Sequence, residues 1–215
     1  MHAILTALAL FAAVSTVTAE QTDLSFYSGS LSTGESRVIG NDPGGAGVLN
    51  FLTGWSNLSA SPEFQYGMRV TWWQNDAQGW GLDFDSSAVQ ANQNQLAANG
   101  VDTLNLSNGV NLLTVNAFRR WSNAGALRPY VGAGVGVAIP KVEYGSGSGQ
   151  VSQLQLTGPA VQWIAGASYP VGKNLSVFGE YKGSYSLNSI DLNNGGGLSV
   201  PTQSNGINVG VSLGF

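Results

Sequence analysis

The last nine positions of the chain alternate between apolar and small residues, and this pattern limits the possible folds more than any other. Residues 207–215 carry Ile, Val, Val, Leu and Phe at every second position, with Asn, Gly, Ser and Gly between them. A period of two predicts a β-strand, because successive side chains of a strand point to opposite faces. The small polar face suits a narrow barrel interior, and the aliphatic face then turns toward lipid.

The terminal residue, Phe215, supports the same interpretation. An apolar strand that ends on an aromatic residue resembles the C-terminal signal of bacterial outer-membrane barrels. We therefore expect the barrel assembly machinery to be a partner of this strand. The alternative is a strand of a soluble β-sandwich that happens to end in Phe.

The composition also favours a membrane barrel. Charged residues make up 9% of the 215 residues, against roughly 25% in an average soluble domain. No apolar run is long enough to cross a membrane as a helix. Few charges without hydrophobic blocks are typical of a barrel, in which apolar residues occupy every second position. The length fits one domain, and no nucleic-acid partner is expected.

Residues 1–19 are predicted to be a secretory signal peptide that is removed, so that the mature barrel spans residues 20–215. The apolar run of this segment is too short for a membrane span, and small residues at its end suit a cleavage site. The only histidine, His2, leaves with it, and the chain contains no cysteine. Ser-His and Cys-His catalysis, thiolate zinc sites and imidazole-bound metals are therefore excluded from the mature protein.

Eight segments with period-two alternation predict an all-β fold, an eight-stranded antiparallel transmembrane β-barrel of the OmpA/Opa type. Short turns alternate with long segments, which are residues 34–62, 91–109, 140–157 and 187–203. Such barrels have long extracellular loops and short periplasmic turns, so we expect an integral protein of the Gram-negative outer membrane with periplasmic termini. We interpret residues 48–55 as β-structure in a tall first loop, with a ten-stranded barrel as the alternative. Residues 145–149 are predicted to be a flexible loop.

Two further patterns fit a barrel. Aromatic residues beside the short turns are predicted to form one interfacial girdle: Trp72, Trp73, Trp80, Trp121, Tyr169 and Phe215. Gly132, Gly134 and Gly136 share one face of a strand, where they make room for bulky neighbours in a narrow lumen. No helix follows these glycines, which argues against a nucleotide-binding loop.

The parity of the strands directs six charged side chains into the lumen: Arg69, Asp83, Asp85, Arg120, Glu180 and Lys182. A hairpin centred at residue 77 sets Arg69 opposite Asp85, and opposite charges across a strand pair stabilise the pairing. An unpaired charge in a water-poor lumen is costly. We therefore predict a structural charge network that holds the barrel closed, which argues against a general pore.

Other charged residues lie in or beside the long segments and are candidates for contacts at the outer rim. Arg37 and Lys141 are predicted to bind the phosphates of lipid A, the lipid of the outer leaflet. Four carboxylates are candidate ligands of a hard divalent ion, although their spacing matches no coordination motif: Asp42, Asp102, Glu143 and Asp191. No cofactor is evident from the residues themselves.

Several stretches are distinctive when taken together. The most specific are residues 157–163 and 178–183, and the others are residues 36–38, 42–45, 66–73, 109–117 and 129–137. They resemble the small outer-membrane barrels of α-proteobacteria described as lipid A oxidases. The resemblance implies oxygen-dependent oxidation of the proximal glucosamine of lipid A to 2-aminogluconate, with a divalent metal, and assigns no catalytic residue. Two functions stay open, an oxidase with its site at the extracellular rim and a non-enzymatic structural or adhesive barrel.

Overall fold

The computed structural model describes residues 19–57, 64–107, 111–122, 126–147 and 149–215, so the predicted signal peptide, apart from Ala19, lies outside the described residues. The elements are, in chain order, β1 (Gln21–Thr33), β2 (Ser36–Asp42), β3 (Gly47–Thr53), β4 (Trp55–Asn57), β5 (Phe64–Trp73), β6 (Gln78–Ser87), β7 (Val89–Ala91), α1 (Gln93–Ala97), β8 (Val101–Ser107), β9 (Leu112–Arg120), β10 (Arg128–Ala138), β11 (Lys141–Ser146), β12 (Gly149–Leu154), β13 (Gly158–Pro170), β14 (Leu175–Ser186), β15 (Ser189–Asp191), β16 (Gly197–Ser199) and β17 (Thr202–Gly214). Within the described ranges, no helix has both the length and the apolar character needed to cross a membrane.

Eight of the strands close into an antiparallel barrel in the order β1-β17-β14-β13-β10-β9-β6-β5, with β5 paired back to β1. The predicted fold class and strand number are confirmed. In β17, Ile207 and Val209 are 68% and 67% exposed, whereas Asn208 between them is fully buried. The strands thus turn aliphatic side chains outward and polar or small ones into the lumen, which is the pattern of a barrel that faces lipid.

The long segments between barrel strands fold into two further sheets at one end of the barrel. One has the order β12-β11-β8-β7-β4 and the other the order β15-β16-β2-β3. Residues 48–55 contribute β3, as expected for β-structure in the first loop. The segments 140–157 and 187–203 were predicted to be loops, but they contain the hairpins β11–β12 and β15–β16. In the predicted flexible loop at 145–149, residues 145, 146 and 149 belong to β11 and β12, and residue 148 lies outside the described residues. We call the two sheets and α1 the cap.

Of the two apolar clusters in the described residues, the larger lies in the cap and the smaller, mostly aromatic one lies in the barrel lumen. The largest apolar side chains with almost no exposed surface lie in the interior of the cap: Val38, Leu96, Val101, Leu104, Leu106, Val142, Ile190 and Val200. Leu112, Ala138 and Ala160, at the ends of their barrel strands, belong to the same cluster. Burying one large aliphatic side chain stabilises a fold by roughly 1.5–3 kcal/mol. The cap is therefore a packed structure that continues from the barrel wall.

The opposite end of the barrel carries the short turns and most of the predicted girdle. Exposed aromatic side chains there are Trp80, Trp121, Tyr169 and Phe215. Trp73 is buried and points into the lumen, where its Nε1 donates a hydrogen bond of 2.8 Å to Asp23 Oδ2. Its assignment to the girdle was wrong, because consecutive residues of a strand face opposite sides and Trp72 faces outward.

Candidate functional site in the barrel lumen

Five charged side chains meet inside the barrel, and we call them the lumen cluster: Arg69, Asp83, Asp85, Glu180 and Lys182. They come from β5, β6 and β14, and each side chain is at most 6% exposed. Strands β1 and β17 separate β14 from β5 along the barrel wall. Contacts between these side chains therefore cross the lumen instead of following the wall.

Arg69 binds two carboxylates at once. Its Nε lies 2.9 Å from Asp83 Oδ2, while Nη1 and Nη2 donate hydrogen bonds of 3.0 and 2.8 Å to the two oxygens of Glu180. The guanidinium carbon lies 5.3 Å from the centre of the Tyr27 ring and 5.1 Å from that of Phe118. Aromatic faces attract a cation, so both rings help to hold the Arg69 guanidinium in position.

The partner of Arg69 differs from the expected one. The ladder between β5 and β6 places Arg69 opposite Asp83, not Asp85. The hairpin turns one position earlier than predicted because the Asn75 side chain accepts hydrogen bonds from the N–H groups of Ala77 and Gln78. Moving a hairpin centre by one residue moves the cross-strand partner by two. The side chains therefore keep their faces while the predicted pair is wrong.

Lys182 occupies the other side of the cluster. Its Nζ lies 2.9 Å from Asp83 Oδ2 and 3.0 Å from Asp85 Oδ1, and it donates to the Tyr27 hydroxyl over 2.6 Å. The Tyr27 hydroxyl in turn lies 2.5 Å from Asp83 Oδ1 and 2.6 Å from Asp85 Oδ1. A phenol has a single proton, so Tyr27 donates to one of these carboxylates at a time.

Uncharged side chains complete the shell around the carboxylates. Tyr130 donates to Glu180 over 2.7 Å, and Gln65 and Gln162 donate to Asp85 over 2.8 and 2.5 Å. The lumen residues predicted from the sequence were all charged and did not include these three. Strand parity is the signal that would have found them, since each occupies an inward position of its strand.

In the lumen cluster each carboxylate contacts a cation, one negative charge is in excess, and little space is left. Two cations face three carboxylates, and each carboxylate accepts at least two hydrogen bonds. Cavities on the two sides of the cluster have volumes of about 50 and 20 Å³, which is room for a few water molecules, at roughly 10–15 Å³ each. Chemically, this arrangement can seal the barrel.

Arg120 lies apart from the lumen cluster, so its inclusion in the network was wrong. It ends β9 near the short turns, where its guanidinium carbon lies 3.9 Å from the centre of the Trp73 ring. Its Nε donates to the backbone oxygen of Asp76 over 2.9 Å, and Nη2 donates to Gln21 Oε1 over 3.1 Å. Both acceptors are uncharged.

Asp42, a candidate metal ligand, is instead fully buried in the cap, where its carboxylate joins several segments of the chain. We call this residue and its hydrogen-bond donors the junction. Its Oδ2 accepts hydrogen bonds from the Ala46 N–H at 3.0 Å and from the Tyr144 hydroxyl at 2.7 Å, and Oδ1 accepts one from Asn194. These donors belong to three different connections between barrel strands. Because protein groups engage both oxygens, Asp42 is a poor metal ligand.

The same hydrogen bonds set the acidity of the junction. Burial works to raise the pKa of Asp42, but hydrogen bonding by the Ala46 N–H, Tyr144 and Asn194 outweighs it and lowers the pKa to about 2. Burial and the hydrogen bond to Asp42 raise the pKa of Tyr144 well above that of a free phenol. At neutral pH the pair is therefore a carboxylate and a neutral phenol.

Structures of known proteins share this architecture. Outer membrane protein AlkL matches with a TM-score of 0.52 and 14% identity, over 94% of this chain and 93% of that one. OprG from Pseudomonas aeruginosa matches with a TM-score of 0.51 and 11% identity, over 92% and 96%. The fold is that of a small outer-membrane barrel. Neisserial surface protein A gives a TM-score of 0.48 at 13% identity, over 90% and 96%. No protein-family model and no curated protein matches the sequence.

In an outer-membrane barrel the long connections face away from the cell, so the cap carries the predicted rim residues. Arg37 is exposed on β2, and its Nε donates to Asn50 Oδ1 over 2.9 Å. Lys141 forms an ion pair of 2.8 Å with Glu143, and both side chains are about one-third exposed. Arg37 and Lys141 lie on strands of different sheets, and their binding of lipid A phosphates stays a prediction.

The candidate metal ligands do not come together either. Asp102 and Asp191 are exposed on β8 and β15, while Asp42 and Glu143 are engaged as described. Across the ranges that the structure describes, no three His, Cys, Asp or Glu side chains lie close enough to hold a metal ion. The carboxylates present therefore do not fit the divalent metal that the resemblance implies.

Proposed function

We propose that the protein is an integral outer-membrane barrel with a closed lumen and a folded extracellular cap, acting as a structural or adhesive surface protein. The observation that carries this proposal is the lumen cluster, whose buried ion pairs cross the barrel. The aliphatic outer face of the wall supports insertion in a membrane. The fold shared with AlkL and OprG supports the outer membrane as its location.

Opening the lumen would require several ion pairs to break together. Arg69 holds Glu180 through two parallel hydrogen bonds, and Lys182 contacts Asp83 and Asp85. Leaving one partner of a buried pair without the other costs roughly 3–5 kcal/mol. The closed state is therefore strongly favoured without any separate gate.

The cap supports the adhesive part of the proposal. The outer face of the β2–β3 hairpin carries three exposed aliphatic side chains, Ile39, Val48 and Leu52, which are 49%, 84% and 56% exposed. The opposite face of the hairpin packs Val38 and Leu49 into the apolar core. Exposed apolar side chains grouped on a packed sheet are typical of surfaces that bind another molecule.

Ion conductance in planar lipid bilayers tests the closed lumen. The wild-type protein is expected to show no steady current. The double variant Arg69→Ala with Lys182→Ala removes both cations of the cluster and is expected to conduct, once heat-modifiable mobility shows that it folds. The matched variant Arg119→Ala, which removes an exposed arginine, should stay closed. Stable conductance through the wild type would contradict the proposal.

Oxidation of lipid A is the second candidate function, and one feature of the cap favours contact with this lipid. Arg37 lies directly across the β2–β3 ladder from the exposed Leu52. A guanidinium binds phosphate, and an aliphatic neighbour can contact an acyl chain. Mass spectrometry of lipid A from cells with and without the folded protein tests the oxidation. An unchanged spectrum would reject the oxidase function and would not affect the proposal of a closed barrel.

A further inference from the structure

A second charged region of the lumen lies below the cluster, toward the short turns. The cavity of about 50 Å³ on this side is lined by Arg120 and Arg128, from adjacent strands, and by the hydroxyl-bearing residues Ser168 and Ser176. One water molecule needs roughly 10–15 Å³ of such volume. The cavity therefore has room for three to five water molecules, or for one tetrahedral oxyanion with little space to spare.

Two of the three arginines that line this cavity are not paired with carboxylates, whereas the third, Arg69, is paired with Asp83 and Glu180. In the part of the chain that the structure describes, neither Arg120 nor Arg128 forms an ion pair. Asp23 lines the same cavity, but its oxygens already accept hydrogen bonds from Gln21 Nε2 at 2.7 Å and Trp73 Nε1 at 2.8 Å. The lining therefore holds three arginines and one engaged carboxylate. The two arginines without an ion pair favour an anion.

The surrounding side chains supply donors at a fixed position. Arg128 lies directly opposite Ser168 in the β10–β13 ladder, so a guanidinium and a hydroxyl project into the lumen side by side. The Trp73 ring supports the Arg120 guanidinium at 3.9 Å, which holds its fork in the cavity. Arginine and hydroxyl donors on rigid strands are suited to the oxygens of a phosphate or sulfate group.

We propose that this cavity binds a small oxyanion of the phosphate or sulfate class, which enters from the short-turn end. Arg120 and Arg128 bind the anion, and Ser168 and Ser176 donate further hydrogen bonds to it. The site lies on the other side of the lumen cluster from the cap. A closed lumen does not depend on it, so the proposal goes beyond the proposed function.

Equilibrium dialysis with radiolabelled inorganic phosphate tests the site, using folded protein in a maltoside detergent, which contains no phosphate. We expect saturable binding of one phosphate per barrel. Arg128→Gln should weaken binding by about tenfold or more, the loss expected for one charge-assisted hydrogen bond. Lys173→Gln removes an equal charge from the exposed neighbouring turn and should change the affinity by less than about twofold.

Two further measurements keep the test decisive. Arg128→Lys preserves the charge but not the planar fork, so a folded variant should bind phosphate with an affinity between those of wild type and Arg128→Gln. Adding phosphatidylglycerol distinguishes the sources of the anion, because displacement of free phosphate would identify a lipid headgroup as the ligand. Binding that is not saturable, that chloride abolishes at equal ionic strength, or that Arg128→Gln leaves unchanged would overturn the proposal.

Discussion

The lumen and the cap are both interiors enclosed by β-strands, but the lumen buries charged and polar side chains beside a few aromatic ones, whereas the cap buries mainly aliphatic ones. Fully buried side chains of the lumen include Asn116 and Asn208, whereas those of the cap include Leu104 and Leu106. The barrel wall turns its apolar side chains outward, and the polar positions of each strand are left for the inside. The cap sheets keep their apolar side chains inside, as soluble proteins do.

This difference changes how each region is stabilised. The stabilisation from apolar burial is roughly proportional to the buried area and needs no particular partner. Substitutions in the cap should therefore lower its stability in proportion to the apolar area that they remove. Buried charges need partners at defined positions, because an unpaired ion is expensive to desolvate. The stability of the barrel should therefore fall sharply when one charged side chain of the lumen is removed, and it should recover when the partner of that side chain is removed too.

The largest expected effect comes from removing Arg69. Arg69→Met leaves Glu180 without its bidentate partner and should lower the free energy of unfolding by about 3–5 kcal/mol. Denaturant unfolding in lipid vesicles measures the change. Adding Glu180→Leu should restore much of the loss, since Asp83 keeps its contact with Lys182. A single variant as stable as the exposed control Arg119→Met would refute a charge-stabilised lumen.

The apolar core of the cap should respond to Leu104→Ala, which truncates a fully buried side chain. A cost of about 2–5 kcal/mol is expected from lost burial and the cavity left behind. We expect the loss to be confined to the cap, with faster hydrogen exchange there and unchanged heat-modifiable mobility of the barrel. Leu52→Ala, on the exposed face, is the matched control. Equal exchange rates in both variants would show that this interior is not the cap's stabilising core.

A smaller effect is expected at the polar junction inside the cap. Asp42→Asn replaces an acceptor oxygen by a donor and should destabilise the cap by about 1–3 kcal/mol. Because folding lowers the pKa of Asp42 from 3.8 to about 2, its contribution is present above pH 3.8 and is lost as the pH falls toward 2. Cap hydrogen exchange in wild type should accelerate across this window more than in the variant. Parallel pH profiles would contradict a role for the Asp42 carboxylate.

The smallest effect is expected for the ion pair on the surface of the cap. Lys141 Nζ lies 2.8 Å from Glu143 Oε1, a distance close to the 2.9 Å between Lys182 Nζ and Asp83 Oδ2. The side chains of Lys141 and Glu143, however, are about one-third exposed. Lys141→Ala should therefore change the free energy of unfolding by about 0–1 kcal/mol, less at high salt. If Lys141→Ala lowered the free energy of unfolding as much as Arg69→Met does, burial would not explain the difference in strength between the exposed and the buried ion pairs.

Much of the barrel could be predicted from the sequence because its signal is local. Alternation at Ile207, Val209 and Val211 identifies a strand and assigns each side chain to a face. The same parity placed Arg69 and Glu180 on the inward face, where the structure has them. The pairing of Arg69 could not be read in this way, since it depends on a one-residue choice in the turn, made by hydrogen bonds of Asn75.

The cap was the region that could not be predicted, because its strands are short and pair over long distances. Strand β16 spans Gly197–Ser199 and lies beside β2, whose residues are far away in the chain. The junction at Asp42 likewise takes donors from Tyr144 and Asn194. No local pattern indicates such partners, so the sequence alone makes carboxylates of the cap candidate metal ligands.

The sequence by itself determined that this chain forms a closed barrel, because a period of two with one aliphatic and one small polar face allows few other folds. It also predicted six of the charged residues that face the lumen, but not Asp23 and Arg128, which line its lower cavity. Only the tertiary structure decided which of them meet, because contacts across the lumen depend on the register of all eight strands together. For the same reason, only the tertiary structure shows that Arg120 lies outside the lumen cluster, in a cavity that it shares with Arg128.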